Sequence, residues 1–444
     1  MMRREQVQDI AEQVLAASAA DQTEVLIFAG DEALTRFANN TIHQNVAETD
    51  AGVRVRAVVG KRVGVASGND TSPDSLKDLA ARALEVARNS EPNEEFVSLP
   101  APSADQRESV VQPVQATVDC DPAQRAEAVR TMLDIARANG LQAAGRFATA
   151  HTAVCVANSL GIRSYFERSG AGATVLMQAA DSSGFAQAES EDVTQINARE
   201  IAEVAARKAL ESAGPRDLEP GAYTVILEPL AVCDMLYMLG IYDLHSLAHQ
   251  EQRSFTSGHM GEQVCGENIS IWDDGWDPRG NRMPFDYEGV TRQRVDIITN
   301  GILTALPYDS FTAAREEGAA NTGHALPAPN SWGPVPSHLF MNTGEHSLQD
   351  MIAATERGVL VTRFHYTNMV HPVRTVLTGM TRDGTFLIEN GQIVGGLKNM
   401  RFTQSILEAL SNVDMIGRDG VLDGHAWAPA LRVNGFNFSS ATQF

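Results

Sequence analysis

Two histidines stand four residues apart in the stretch 239–255, L-G-I-Y-D-L-H-S-L-A-H-Q-E-Q-R-S-F. On a helix this spacing puts His245 and His249 on one face, one turn apart. It is half of the H-E-x-x-H device, in which two histidines bind zinc and the glutamate beside the first acts as base. Position 246 is Ser, so the base is missing. A catalytic zinc takes three protein ligands and keeps one position open. Glu251, His259 and Glu262 are the nearby candidates for a third ligand. Glu251 is a poor one, because two residues past His249 it points about 200° away around the helix. The other reading is a pair of polar residues on a partly exposed face or lining a cavity, and the missing base favours it.

The richest polar constellation is R-F-H-Y-T-N-M-V-H-P-V-R at 363–374. On a strand, Arg363, His365 and Thr367 share one face, and Phe364, Tyr366 and Asn368 the other. Tyr366 and Asn368 could hydrogen-bond a peptide backbone. Arg363 or Arg374 could hold a carboxylate in bidentate fashion. With His371 they form the candidate substrate-binding set, Arg363, Tyr366, Asn368 and His371. The alternative is a buried network that fixes strand and loop geometry. The acidic run W-D-D-G-W-D at 272–277 lacks the alternating oxygen ligands of a calcium loop and reads as a solvated loop. Cys233 and Cys265 lie near the histidine stretch. A cysteine nucleophile paired with His249 is conceivable, but a small buried side chain is the commoner use. No G-x-S-x-G elbow occurs, and S-G-A-G at 169–172 lacks the strand–helix context of a dinucleotide loop. The residues alone leave the catalytic group, if there is one, unknown.

The elements that must position these groups fall into two halves. Val7, Ile10, Val14 and Leu15 predict a helix over 1–20, and 23–29 reads as a strand. Short alternating runs over 36–68 predict an antiparallel meander with glycine turns. A second helix follows, with Ser72 as N-cap and Pro73 at its first position. Prolines at 92, 100, 102 and 113 mark an extended connector over 91–119. The order then recurs: a helix over 122–139, several strands, and a helix over 197–213. A-N-N-T-I-H-Q at 38–44 against A-N-S-L-G-I-R at 157–163 supports a duplication, although Asn and Gly favour turns anywhere. G-P-R-D-L-E-P at 214–220 marks a boundary. Beyond it a strand leads into a helix from Pro229 to about Ser254. The rest is β-rich, with hairpin turns expected at 300–301, 383–384 and 390–391 and short helices near 347–357 and 403–412. The fold class is therefore α+β. A pseudo-repeated helix–meander–helix domain (1–214) precedes a β-rich, barrel-like mixed domain (221–444).

The 444 residues allow two or three domains, and 43% hydrophobic with 20% charged residues is an ordinary globular composition. A net charge of −21 argues against nucleic acid and anionic membranes as main partners. No apolar run approaches the roughly 18 residues of a membrane span. The N-terminus lacks a signal-peptide core. Four scattered cysteines suit a reducing cytoplasm and offer no ready zinc cage.

Long motifs then point to a family. M-N-T-G-E-H-S-L-Q-D-M-I at 341–352, the run from E-R-G-V-L-V-T-R-F-H-Y to L-I-E-N-G, L-K-N-M-R-F-T-Q-S, P-A-L-R-V-N-G-F-N-F-S-S-A-T and F-D-Y-E-G-V at 285–290 resemble the TldD/PmbA (TldE) zinc-peptidase family over nearly the whole chain. The resemblance implies a cytoplasmic dimer that trims or degrades small, unfolded or modified peptides. In the best-known assembly a zinc-bearing TldD-type subunit joins a PmbA-type subunit without metal. The zinc-bearing type carries an H-E-x-x-x-H-type motif on the helix matching 239–255 and a late cysteine ligand. This chain has His245-Ser246 and His249, and no cysteine beyond Cys265. It resembles the metal-free type, running into R-S-F and G-E-x-V. The expectation is a homodimer, or a heterodimer with a TldD-like subunit, acting on peptides. No cofactor is expected in this chain; zinc would sit in the partner or, failing that, at His245 and His249. A homodimeric hydrolase using those histidines and a non-catalytic peptide-binding protein are the alternatives.

Overall fold

The computed structural model describes residues 2–103 and 111–441. Helix α1 (Arg4–Ala17) leads into β1 (Gln22–Ala38), β2 (Thr41–Val59), β3 (Arg62–Gly68) and α2 (Pro73–Asn89). After a single turn, α3 (Gln115–Val118), the order repeats as α4 (Pro122–Ala138), β4 (Gln142–Asn158), β5 (Arg163–Gln178), β6 (Ser183–Ser190) and α5 (Ala198–Glu211). All six strands form one antiparallel sheet in the order β3-β2-β1-β4-β5-β6. The two units meet where β1 runs antiparallel to β4, from Glu24↔Asn158 to Phe37↔Gly145. Two cores form, each centred on one unit's helices and borrowing from the other's strands: Val7, Ile10, Val14, Leu76 and Leu79 with Ala153 and Cys155 of β4 in the first, Val129, Met132, Leu133, Ile201 and Ala205 with Phe37 of β1 in the second. The connector expected over 91–119 falls partly outside the described residues.

The strands are much longer than the short runs expected. β1 has 17 residues and β2 has 19. Interior polar and glycine residues, Gly30, Asp31, Glu48 and Asp50, look like turns in sequence. They lie where the strands continue past the core, and there β2 is exposed over most of residues 41–50. Ser72 occupies the N-cap position of α2, but its hydroxyl makes no cap bond. Asp70 orders this end instead, accepting from the Ser72 N–H at 2.9 Å and the Ser75 hydroxyl at 2.7 Å.

The second half is an eleven-stranded mixed sheet. It starts with β7 (Gly221–Leu227), α6 (Pro229–Tyr242), α7 (Ser246–Gln250) and β8 (Ile271–Asp273). Next come β9 (Val295–Thr299), β10 (Ile302–Leu303), α8 (Ser310–Ala314), β11 (Leu339–Met341), α9 (Leu348–Ala353) and β12 (Arg357–His371). It ends with β13 (Val376–Glu389), β14 (Gln392–Gly396), β15 (Met400–Ser405), α10 (Ile406–Ser411), β16 (Val413–Asp423) and β17 (Ala426–Ala441). β7 pairs with β12 in parallel and with β17 antiparallel. The path β7-β12-β13-β15-β17 therefore closes on itself. Val225, Val359, Phe364, Phe402, Leu431, Phe436 and Phe438 belong to the core gathered about this ring, and Leu236 and Leu239 of α6 belong to the same core.

Two of the three expected hairpin turns form: Asn300-Gly301 joins β9 to β10, and Asn390-Gly391 joins β13 to β14, each with positive φ at both residues. Asp383-Gly384 does not turn the chain. Both residues have positive φ (54° and 115°), yet they lie inside β13. The pairing with β12 shifts register across them. They form a bulge in which two residues of β13 stand opposite one of β12, Thr362.

The halves dock through the 285–290 motif. Phe285 and Met283 pack on Leu26, Val154, Val156 and Phe166 of the first sheet. Gly289 (φ 78°) lies so close to Ile162 that a Cβ would stand 2.5 Å from its Cγ2. The Ser164 hydroxyl donates to the Gly289 carbonyl at 2.9 Å.

Candidate functional site

The histidine stretch is not one helix. α6 begins at Pro229 behind the Glu228 cap, whose carboxylate pairs with the buried Lys208 ammonium of α5 at 2.5 Å. It ends at Tyr242. Asp243 departs from helical geometry (φ −130°, ψ −45°), and His245 is extended (φ −151°, ψ 154°) as the N-cap of α7. The expected shared face of His245 and His249 is therefore absent. The break follows from what it buries: Leu244 and Leu247 turn inward, and Leu244 belongs to the main core.

His245 caps α7 in place of the usual Ser or Asp. Its Nδ1 accepts from the Ala248 N–H at 3.3 Å, so Nε2 carries the proton and donates to the Ile241 carbonyl at 3.1 Å. Burial, helped by Arg253, lowers its pKa to about 3, so the ring is neutral. Both nitrogens are thus occupied. His245→Asn, which can still cap, is expected to lose less stability than His245→Ala. The alanine variant drops the cap, worth about 1 kcal/mol, and also opens a void; thermal unfolding of the two compares them.

Around this break lies a concentration of unanswered polar atoms. Both Asp243 carboxylate oxygens, the Ser246 hydroxyl, His249 Nδ1 and Gln250 Oε1 are buried without a hydrogen-bond partner. Burial raises the Asp243 carboxyl to about 7; the Ser254 hydroxyl, which donates to the Asp243 carbonyl, the Phe255 N–H and Arg253 lie near but do not reach hydrogen-bond geometry with the carboxylate, and offset the rise only in part. In the sequence, Asp243 is marked only as an acidic residue directly after an apolar helical run and before Leu-His. His249 faces a shallow pocket shared with Ser257, Arg315 and Glu316.

A catalytic zinc does not fit the residues of this stretch. His245 has no free lone pair to offer. The Cys233 and Cys265 thiols are buried in the main core, and that burial raises both. Among the described residues no three His, Cys, Asp or Glu side chains converge on a point where a metal could sit.

The 363–374 constellation divides. Arg363 is held by Asp383, with Nε at 2.8 Å, and stacks over the Phe185 ring 4.1 Å from its centroid. Asp383 also accepts from the Ser183 hydroxyl of β6 at 2.8 Å. The carboxylate that Arg363 binds is thus the chain's own, and the pair ties the ring to the first sheet. Strand alternation fails after His365, because Tyr366 takes positive φ (57°) and the pairing register shifts between His365 and Asn368. Phe364 enters the core against Phe402, and Thr367 donates to Asp234 of α6. The Asn368 amide donates to the Tyr366 carbonyl at 2.9 Å. Tyr366 is left 75% exposed beside exposed Val370, His371 and Val373. The β12–β13 hairpin thus presents an apolar tip to solvent.

The acidic run at 272–277 is not a solvated loop. Asp273 lies in β8 and is completely buried. Its Oδ1 accepts from His324 Nε2 at 2.9 Å and faces Arg292 at 3.4 Å, and its Oδ2 accepts from the His338 N–H at 2.6 Å. Burial alone would raise this carboxyl, but His324, Arg292 and His338 more than reverse that and hold it well below the usual carboxylate range. Its partners lie 19 to 65 residues away in sequence, so nothing local announced the cluster.

Between the first sheet and the 309–333 loops is a cavity of about 500 Å³, with Leu247 of α7 in its wall. Gly333 borders both: a Cβ there would stand 3.0 Å from His245 Nδ1. Arg56 and Glu288 line this cavity, and Arg56 Nη2 bonds Glu288 at 3.0 Å and, outside the lining, Glu24 at 2.5 Å.

Residues 220–440 match the family model described as the PmbA/TldA metallopeptidase C-terminal domain, and residues 23–87 match its domain 1. A "Metalloprotease TldD homolog" of Buchnera aphidicola is 29% identical over 186 residues, 40% of this chain and 38% of that protein. A "Metalloprotease PmbA" of Escherichia coli O157:H7 is 25% identical over 189 residues, 41% of this chain and 39% of that protein. The chain thus spans well under two thirds of the length of these relatives. Among solved structures, TldE from Thermococcus kodakarensis superposes with a TM-score of 0.87 at 19% identity, over 97% of this chain and 99% of that one. A proposed modulator of a DNA gyrase from Thermotoga maritima gives 0.86 at 20% identity, over 97% and 99%.

Proposed function

Because the chain belongs to the PmbA/TldD metallopeptidase family, we propose that it is the metal-free kind of subunit in a cytoplasmic, dimeric, peptide-processing assembly. In this reading a TldD-like partner supplies the zinc, and this chain shapes the substrate cavity. The observation that carries it is the occupied His245 ring at the broken helix, where the zinc-bearing type has its metal-binding motif. The apolar tip at Tyr366, Val370 and Val373 supports a partner surface. Asn368, used within its own bulge, and exposed His371 lie beside that tip, where a peptide bound at the dimer contact would pass. No helix is long and apolar enough to cross a membrane among the described residues.

Metal analysis and a peptidase assay, on the chain alone and mixed with a TldD-type subunit, test the reading together. The expected result is less than one tenth of an equivalent of zinc, no cleavage by the chain alone, and cleavage by the mixture. His249→Ala is expected to leave metal content unchanged. One zinc per chain with unaided cleavage, both lost in His249→Ala, would establish the homodimeric hydrolase instead.

A further inference from the structure

The cavity beside α7 combines apolar walls with an excess of carboxylate. Val63, Val65, Phe96 and Phe311 line it, and its volume of about 500 Å³ suits a small organic molecule. Two carboxylates, Glu288 and Asp309, line it, and a third, Glu24, lies behind them on Arg56. Glu288 accepts from Arg56 through Oε1 and from the Ser310 N–H through Oε2 at 3.3 Å. Glu24 takes the same Arg56 nitrogen. Asp309 is only 7% exposed and lines the cavity. Thr312 holds its Oδ1 with both N–H and hydroxyl, and no hydrogen bond reaches Oδ2 among the described residues.

The cations do not balance this set. Arg56 serves two carboxylates, and its Nε is buried without a partner. Arg54 is turned to the Ala328 carbonyl at 3.0 Å. The shortage registers in the acids themselves. Burial raises Glu24 to about 7, with Arg56 only partly offsetting it, and burial and Glu288 raise Asp309. A buried carboxylate without its countercharge is costly, and a cation arriving with its own apolar body removes that cost while filling the walls.

We infer that this cavity binds an organic ammonium ion carrying an apolar group, with Asp309 and Glu288 receiving the ammonium and Val63, Val65, Phe96 and Phe311 the apolar part. The site stands apart from the peptidase reading, since it requires no cleavage and no metal. The same chemistry is found in free amines and in the amino terminus of a short peptide beginning with an apolar residue.

Isothermal titration of the full chain with phenethylamine tests it. The controls are N-acetylphenethylamine, and Phe-Gly with and without N-acetylation. Saturable binding of phenethylamine is expected, at least tenfold tighter than its acetylated form. If Phe-Gly binds more tightly than the amine, the source is a peptide terminus; if less, a small amine. Asp309→Asn can still cap α8 and is expected to weaken phenethylamine at least tenfold. Val63→Trp fills the cavity without touching the acids and is expected to abolish binding with the circular dichroism spectrum unchanged. Equal binding of the acetylated control, undiminished binding to a folded Val63→Trp variant, or no saturable binding of phenethylamine or Phe-Gly up to about 10 mM overturns the inference.

Discussion

Arg292→Met should destabilise the chain by about 3–5 kcal/mol, the usual consequence of stranding one member of a buried ion pair. The Arg292 side chain is completely buried. Besides facing Asp273, it donates to the Ser337 hydroxyl at 3.0 Å. Its removal leaves Asp273 with His324 and the His338 N–H; burial, and Arg292 itself, hold both imidazoles below their ordinary pKa, so they replace the guanidinium's permanent charge only in part. Methionine fills much of the volume, so the loss reports charge rather than a void. Adding Asp273→Asn to Arg292→Met should recover part of the loss, because the stranded charge is then gone. Urea unfolding followed by tryptophan fluorescence measures all three forms. A loss under about 1 kcal/mol for Arg292→Met would mean that the cluster carries little net electrostatic weight.

The second large effect depends on pH. Asp243 has a folded-state pKa of about 7 against an unfolded value of 3.8. An acid with a raised folded pKa binds its proton more tightly in the native state. Its contribution is therefore most favourable below the unfolded value and is lost as pH rises from about 4 to about 7. At about 1.4 kcal/mol per unit, the full span is on the order of 3–4 kcal/mol. Asp243→Asn should match the parent near pH 4, exceed it in stability at pH 8, and flatten the slope between. Glu24 and Asp286, raised to about 7 and about 8, act in the same direction, so some slope should remain in the variant. An Asn variant less stable than the parent at pH 8 would show that the carboxylate finds a partner there.

These groups also mark where sequence reasoning stopped. Periodicity and turn residues place helices after Ser72, over 122–139 and over 197–213, within two residues of where the chain forms them (73–89, 122–138 and 198–211), and the duplicated order around them, because those patterns are local. The D-G pair at 383–384 misled because the same positive-φ residues serve a turn and a strand irregularity, and only the partner strand decides between them. The helix through 239–255 misled because helical spacing there competes with the burial of Leu244 and Leu247, which is tertiary. Asp273, Arg292, His324 and His338 could not be joined, since their contact exists only once β8, β11 and the intervening loops are stacked. The candidate residues Arg363, Tyr366, Asn368 and His371 do adjoin on β12, but the bulge at Tyr366 sends them to different environments.

The closed ring has a consequence for the order of events during synthesis. Its final seam joins residues 221–227 to residues 431–438. β7 emerges from the ribosome early, and its antiparallel partner leaves about two hundred residues later. At 5–20 residues per second that interval is roughly 10–40 s. During it, one edge of β7 has no lasting mate, whereas both helix–meander–helix units upstream can already fold from contacts of much shorter range. The C-terminal half is therefore the slow partner in biogenesis, and its nascent form is the one that needs shielding until the last strand arrives.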